Sequence, residues 1–345
     1  MLAAFVAVPV WTATNLGTPP GHPNASVQGS LVNAHGTAVA VGYEDVGTGR
    51  SRKQAFVWQK GTRTALVYRG VKDIDPVAID AAGDVLGTAG NRAVRWRGGV
   101  ARLLGTFAPQ AMNATGDLVV GWNQAPAPHA LVWHRGTLTR LPGLGGSATY
   151  ANAVNRSGAV VGSSQLPSGG EHAVVWHGGK PTDLGAPTGF DSMATLISAR
   201  GAIYGFAFQG DADSAVLEWK RGHLIDLGSF GTAGGRPIAM NARGDVLVQT
   251  ETVTITGDQS AAGLLLLRGG KTIRVRVPAL GHQRLVGVGL DDQDDVIGYG
   301  QRGFMWRNGH ASLLPQGMTP VAVAGSWIIA SNGLTDRAVL LRLHR

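Results

Sequence analysis

Two short turn signatures alternate along almost the whole chain, and a sequence that repeats with a period near 40 residues must stack its units or close them into a ring. One signature is Asn-x-x-Gly running into a small apolar strand that ends in Gly, as in NATGDLVVG (113–121) and NRSGAVVG (155–162). The other is an apolar run ending in Trp with a Gly soon after, as in HALVWHRG (129–136) and HAVVWHGG (172–179). The first falls at Asn33, Asp80, Asn113, Asn155, Ser198, Asn241 and Asp291, with a degenerate eighth near Val323. The second falls at Trp58, Trp96, Trp133, Trp176, Trp219, Leu267, Trp306 and, by alignment, Leu341. The two series interleave without exception, so each unit holds two hairpins.

Turn chemistry explains the residue types. Asn, Asp or Ser at the first turn position can bond its own backbone two residues on, and Gly at the fourth accepts a left-handed conformation. QKG, HRG, KRG and RNG are short hairpin connections with Gly at a site of positive φ. Four strands per unit follow: a runs into the Asn turn, b leaves it, c ends at Trp, and d leaves the second Gly. Four antiparallel strands repeated at about 41 residues form the blade of an all-β propeller, with a β-solenoid as the second reading because its coils are shorter.

The ends of the chain sharpen this. The last unit has strands a (321–324), b (327–330) and c (337–343) and no d, whereas TATNLG (12–17) reads like the d strands TDLG (182–185) and IDLG (225–228). A terminal blade assembled from both ends closes the ring and removes exposed sheet edges. Eight blades are predicted, or seven if the compact second unit (77–104) or the degenerate eighth is absorbed. Residues 11–345 then form one domain. The segment 1–10 has two readings, because LAAFVAVPV (2–10) has the length of a signal-peptide core but lacks a preceding Lys or Arg and a cleavage site. It is either the remnant of an export signal or a leading strand.

Composition narrows the function classes. Glycine, at 52 residues, suits many tight turns, and 44% apolar against 15% charged residues argues against disorder. With no cysteine, disulfides, thiolate metal sites and Cys nucleophiles are excluded. The net charge of +8 is diffuse, 24 of the 30 basic residues being Arg, and the longest basic run is Arg50-Ser51-Arg52-Lys53 in one loop. Nucleic-acid binding needs a clustered basic stripe with stacking aromatics, so no nucleic-acid partner is expected. No stretch reaches the ~20 apolar residues of a membrane helix, so no membrane span is expected either. A monomer is the expected state.

At QAFVW (54–58), HALVW (129–133) and HAVVW (172–176), each followed by Gly and then Leu-Gly or A-x-Asn-x-x-Gly-x-Val-Val-Gly, the chain resembles the HAF repeats of probable extracellular proteins. The resemblance spans about residues 11–345. It weakens in 241–267, where Trp is replaced, and in 291–298, where Asp294 stands for the turn Gly. It implies a secreted or cell-envelope β-propeller of no established activity and carries over no catalytic residue.

Most recurrent residues read as scaffold. Trp58, Trp96, Trp133, Trp176, Trp219 and Trp306 are expected to pack between blades, and Asn113, Asn155 and Asn241 to shape turns. His129 and His172 occupy equivalent positions, which favours structural hydrogen bonds over metal ligation. No metal site and no cofactor are expected. Gly270-Lys271-Thr272 resembles the end of a phosphate loop, but a β run follows it where a helix is required. Asp291-Asp292-Gln293-Asp294-Asp295 lacks the Gly of an EF-hand loop and is read as a solvated turn.

Function is expected on the face carrying the b–c and d–a connections, since variable loops on a rigid scaffold usually bind. The b–c segments 43–54, 122–128, 163–171, 206–213 and 249–262 are read as long loops. The residue after the closing Gly of strand b is aromatic in four units, Tyr43, Trp122, Phe206 and Tyr299, and these are expected to line a partial ring for a glycan or peptide/protein ligand. The favoured function is thus a noncatalytic secreted or surface binding module. The alternative is a propeller hydrolase or lyase acting on carbohydrate or peptide, for which Asp191, Asp211, Asp213 and His282 are the candidate catalytic residues.

Overall fold

The computed structural model of the chain describes residues 10–47, 51–71, 73–124, 126–210, 212–230, 234–253, 259–281 and 284–344. Eight four-stranded antiparallel sheets follow one another as the blades of a propeller. Blades 1 to 7 span 26–65, 74–105, 108–140, 149–185, 191–226, 235–274 and 286–313. Blade 8 combines Met318–Ala324, Trp327–Asn332 and Arg337–His344 with Val10–Asn15 from the front of the chain. That closing strand pairs from Val10↔His344 to Asn15↔Val339, so it starts within the segment read as a possible leader and ends short of the predicted Gly17. The compact second unit is a complete blade, which decides eight over seven.

An apolar cluster fills each of the eight boundaries between neighbouring blades. The repeated Trp residues belong to these clusters. Trp96, Trp133, Trp176, Trp219 and Trp306 are almost fully buried, and Trp58 is half-buried. Three indoles also tie blade to blade. The Nε1 of Trp96, Trp176 and Trp219 donates to the carbonyls of Val67, Pro142 and Leu184 at the end of the preceding blade, at 3.0, 2.7 and 2.8 Å.

The Asn turns do more than close hairpins. Asn155 Oδ1 accepts from the Ala159 amide at 3.0 Å, the expected local bond, while its Nδ2 donates across to the Ser198 carbonyl in the next blade's turn at 3.2 Å. Asn33 reaches the Asp80 carbonyl at 2.9 Å in the same way, and Asn241 reaches Asp294 Oδ1 at 2.7 Å. Asn113 stays within its own turn, donating to Asp117.

The turn at 291–295 departs from expectation. Asp291, Asp294 and Asp295 are buried rather than solvated. Asp294 holds the turn Gly position at φ 65° and accepts from Arg243 at 2.5 Å and Arg268 at 3.1 Å, both from blade 6. Burial pushes the Asp294 carboxyl up, but the hydrogen bonds from Arg243 and Arg268 outweigh it and hold the group below its ordinary 3.8. Asp295 pairs with Arg307. The acidic run is an inter-blade clamp, because its charges are matched by arginines that the linear pattern does not place beside it.

Three of the five long b–c segments are mostly strand, while 122–128 and 163–171 are mostly loop. Strands b and c continue past the ring as paired ribbons to Asp45↔Ser51, Gln209↔Ala212 and Val253↔Gln259. Ladder bonds satisfy these backbones, so Glu44, Asp45, Arg52 and Lys53 ride on strands. Lys53 there pairs with Asp73 and Asp75 of the neighbouring unit.

Strand a carries a β-bulge against strand b in all eight blades. This accounts for the Gly that ends strand b. A Cβ on Gly121, Gly162 or Gly205 would stand 2.1, 1.9 or 1.9 Å from the strand-a carbonyl of Ala108, Tyr150 or Met193. The bulge turns that carbonyl into the space a side chain would need.

Candidate functional site

The bulge sets the register of the residue after the strand-b Gly. Trp122, Phe206 and Tyr299 are equivalent, pairing with Ala108, Met193 and Val286 of strand a. Tyr43 is not in this set. Ala40 opposes Gly29 at the bulge of blade 1, so Val41 is the equivalent residue and Tyr43 lies two positions further out. The extra Ala-Val in AVAVG hides this shift in the linear pattern. The four aromatics therefore sit on blades 1, 3, 5 and 7, each at its own blade boundary. Trp122 meets Tyr150 of blade 4 edge-on, with ring centroids 5.5 Å apart and planes at 80°. Phe206 lies under the Arg236 guanidinium of blade 6 at 5.1 Å and beside Phe208 at 6.0 Å.

The long-loop ends of blades 3 and 4 carry polar groups that the repeat does not explain, Asn123 and His129 on the face of blade 3 that packs on blade 2 and Ser163 and Glu171 on the face of blade 4 that packs on blade 5. Seven buried side-chain polar atoms lack a protein partner among the described residues. Four of them are at these ends: Asn123 Oδ1, His129 Nδ1, Ser163 Oγ and Glu171 Oε1, the Ser163 hydroxyl being close enough to Glu171 to steady its carboxylate. Buried polar groups are normally paired, so such a concentration marks a place built to meet something else. Asn123 and His129 are cross-strand partners at the tip of blade 3. Ser163, fully buried, pairs with Tyr150 in blade 4. Glu171 opens strand c of that blade, and its backbone amide donates to Asp191 Oδ1 of blade 5 at 2.8 Å.

The electrostatics follow from this packing. Burial pushes the Glu171 carboxyl above its ordinary 4.5. The nearby Ser163 hydroxyl acts against that, and the Asp191 charge adds to it. Tyr150 is pushed up by burial and by the Glu171 charge, so its hydroxyl stays a donor. Because the folded state penalises ionised Glu171, that carboxylate costs stability at neutral pH. The cost vanishes once pH falls below 4.5, where the group is protonated in both folded and unfolded chains. Glu171→Gln is accordingly expected to raise the melting temperature at pH 7.5, with the gain shrinking to nothing by about pH 4. Differential scanning calorimetry across that range checks it, and a gain independent of pH would contradict the assignment.

The two histidines behave differently for a visible reason. His172 Nδ1 lies 3.0 Å from Asp183. In blade 3 the register places Arg140 where blade 4 has Asp183, and a guanidinium offers no acceptor, so His129 Nδ1 is left unpaired.

Of the four catalytic candidates, Asp191 joins this cluster. Asp211 and His282 lie outside the described residues, and only the backbone of Asp213, in Ala212–Lys220, is described. No group of three or more His, Asp or Glu among the described residues is placed to hold a metal ion. A second opening of about 860 Å³ lies beside blade 6 on the same face, walled by residues such as Phe230, Leu265, Val275 and Leu285. It is mostly apolar and contains none of the unpartnered polar atoms. Glu171, Ser163 and Asn123 were not among the residues the sequence pointed to, yet one signal was there: Ser163 stands where three other blades have an aromatic ring.

No known protein family and no curated protein matches the sequence. Among solved structures, the chain is similar to a prolyl endopeptidase at 13% identity and TM-score 0.54, covering 93% of this chain and 54% of that one. It is similar to a puromycin-hydrolyzing peptidase of Mycobacterium tuberculosis at 12% identity and TM-score 0.53, covering 92% and 60%. A virginiamycin B lyase from Staphylococcus aureus aligns at 11% identity and TM-score 0.47 over 97% and 100%. The chain thus spans a little over half the length of the two peptidases, and what the likeness to those two establishes is the propeller fold. No helix among the described residues is long and apolar enough to cross a membrane.

Proposed function

We propose that this chain is a noncatalytic, secreted or cell-surface binding module of the HAF-repeat type, and that its ligand is a glycan held across blades 3 and 4 on the long-loop face. One observation carries the reading: Tyr150, which meets Trp122 edge-on, is the cross-strand partner of Ser163 and feels the charge of Glu171, two buried groups that each keep a polar atom without a protein partner. A sugar offers both halves of what this patch needs. Its C–H face packs on an aromatic ring, and its hydroxyls can donate to Glu171 Oε1 and accept from Ser163. A peptide bound by strand addition would need an open sheet edge, and the long-loop ends of the blades offer turns and ribbon tips.

Binding of the purified protein to a glycan array tests this. Trp122→Ala and Tyr150→Ala are expected to weaken the strongest signal by about tenfold or more, equivalent to ~1.4 kcal/mol, without loss of folding. Phe206→Ala, two blades away, is expected to leave it unchanged. Equal effects of all three, or of none, would sink the assignment. A hydrolase or lyase reading has one observation in its favour, the raised Glu171 carboxyl beside Asp191, which is how a general acid is prepared. It requires turnover of the bound glycan that Glu171→Gln abolishes while binding persists.

A further inference from the structure

The Trp position at the end of strand c is empty of Trp in two blades, and the two cases differ. In blade 8 the replacement, Leu341, is fully buried. Its cluster at the boundary with blade 7 is completed by Leu343 and by Trp11 from the closing strand, and the residual space there is about 10 Å³. In blade 6 the replacement, Leu267, is only half-buried. A cavity of about 600 Å³ opens beside it, on the short-turn face between blades 5 and 6. That lies within the ordinary size range of small-molecule sites, ~300–1,000 Å³.

The wall of this cavity is the socket the other blades fill. Trp219, Leu227, Tyr204 and Leu267 line it. In blade 5 the Trp219 indole donates to the Leu184 carbonyl within TDLG. The matching residue of IDLG is Leu227, and Leu267 has no N–H to offer its carbonyl. Tyr204 supplies a second polar group: burial and the adjacent Glu218 charge drive its phenol far above the ordinary 10.0, so it remains protonated.

The rim is cationic. Arg243 and Arg268 are engaged by Asp294, and Lys220 stands 3.7 Å from Glu218. Arg200, Arg221 and Lys271 also line the cavity and have no ion-pair partner among the described residues. Lys271 belongs to Gly270-Lys271-Thr272, which here forms part of a hairpin where Gly269 and Gly270 both have positive φ. The lysine is thus presented by a tight turn and not at a helix N-terminus.

We infer that this socket is a second ligand site, for a planar aromatic ring bearing a phosphate or sulfate group. The ring takes the place of the absent indole between Tyr204 and Leu267, and the oxyanion lies among Arg200, Arg221 and Lys271. A ring without charge forgoes the rim, and an oxyanion without a ring forgoes the socket.

Titration with 1-naphthyl phosphate, followed by calorimetry and by the fluorescence of Trp219 and its neighbours, tests the site against inorganic phosphate and neutral 1-naphthol. Naphthyl phosphate is expected to bind at least about tenfold tighter than either. Leu267→Trp restores the residue the other blades carry, so it is expected to keep or raise the melting temperature while lowering affinity about tenfold or more. Arg221→Ala combined with Lys271→Ala is expected to bring naphthyl phosphate down to the affinity of naphthol. Undiminished binding to a folded Leu267→Trp protein, or equal affinity for naphthyl phosphate and inorganic phosphate, would overturn the inference. The Trp122 and Tyr150 variants are expected to leave this binding untouched, which separates it from the glycan site.

Discussion

Trp176→Ala is expected to destabilise the propeller by about 3–5 kcal/mol, the usual cost of removing a large aromatic from a packed core. The side chain is 1% exposed and sits among Val120, Leu141, Val160 and Val174 at the boundary of blades 3 and 4. Its removal vacates a space walled by two rigid sheets that cannot close independently. It also strands the Pro142 carbonyl, whose 2.7 Å bond to the indole contributes a further ~1 kcal/mol. Two comparisons make the prediction specific. Trp176→Leu should cost distinctly less, because blades 6 and 8 carry Leu at this place. Trp58→Ala should also cost less, because Trp58 is half-buried. Urea midpoints for the three variants decide it. A Trp58→Ala loss equal to that of Trp176→Ala would mean that burial and the indole bond do not set the value.

The residues behind that prediction were legible in sequence because their chemistry is local. An Asn-x-x-Gly turn announces itself within four residues, and so does a Gly-closed hairpin. Once the turns are in place, the apolar run before each Trp has only one strand to occupy. The closing strand was legible for the same reason, since TATNLG matches the other d strands. What was not legible depends on a partner strand. Asn155 reads as a turn residue, but its Nδ2 donates to the Ser198 carbonyl in the next blade. The acidic run at 291–295 reads as solvated until Arg243, Arg268 and Arg307 are brought against it. Tyr43 reads like Trp122 because each follows a Gly, while register is counted from a bulge that no residue type marks.

The candidate site was hidden by the same logic. It is composed of breaks in the repeat: Ser163 in an aromatic position, Arg140 in place of Asp183, and Glu171 just before HAVVW. Each break alone is an ordinary substitution. Their meaning comes from lying on adjacent blades at one end of the ring, where unpaired polar atoms accumulate. Of the residues read from sequence as binding or catalytic, Trp122 and Asp191 lie where the geometry concentrates.

Gly162→Ala should couple stability to that site. Gly162 does not have a positive φ, so the backbone itself would tolerate alanine. The obstacle is the Tyr150 carbonyl, 1.9 Å from where the Cβ would stand. A flexible side chain could move aside, but this oxygen belongs to strand a beside its bulge and is fixed by the Tyr150↔Ser163 and Ala151↔Gly162 pairings. Overpacking of this kind costs about 1–3 kcal/mol, and the upper half is expected because backbone must yield. Gly178→Ala is a useful contrast: its Cβ would meet nothing within 4 Å, but its φ of 56° imposes a torsional penalty of ~1–2 kcal/mol. Similar losses should therefore have different consequences. Gly162→Ala has to displace Tyr150, which touches Trp122 and faces Glu171, so glycan binding should fall along with the urea midpoint. Gly178→Ala, on the opposite face, should lower the midpoint and leave binding intact. If Gly162→Ala were neutral in both measurements, the bulge would not be the reason for the glycine, and Tyr150 would not be held where the ligand site requires it.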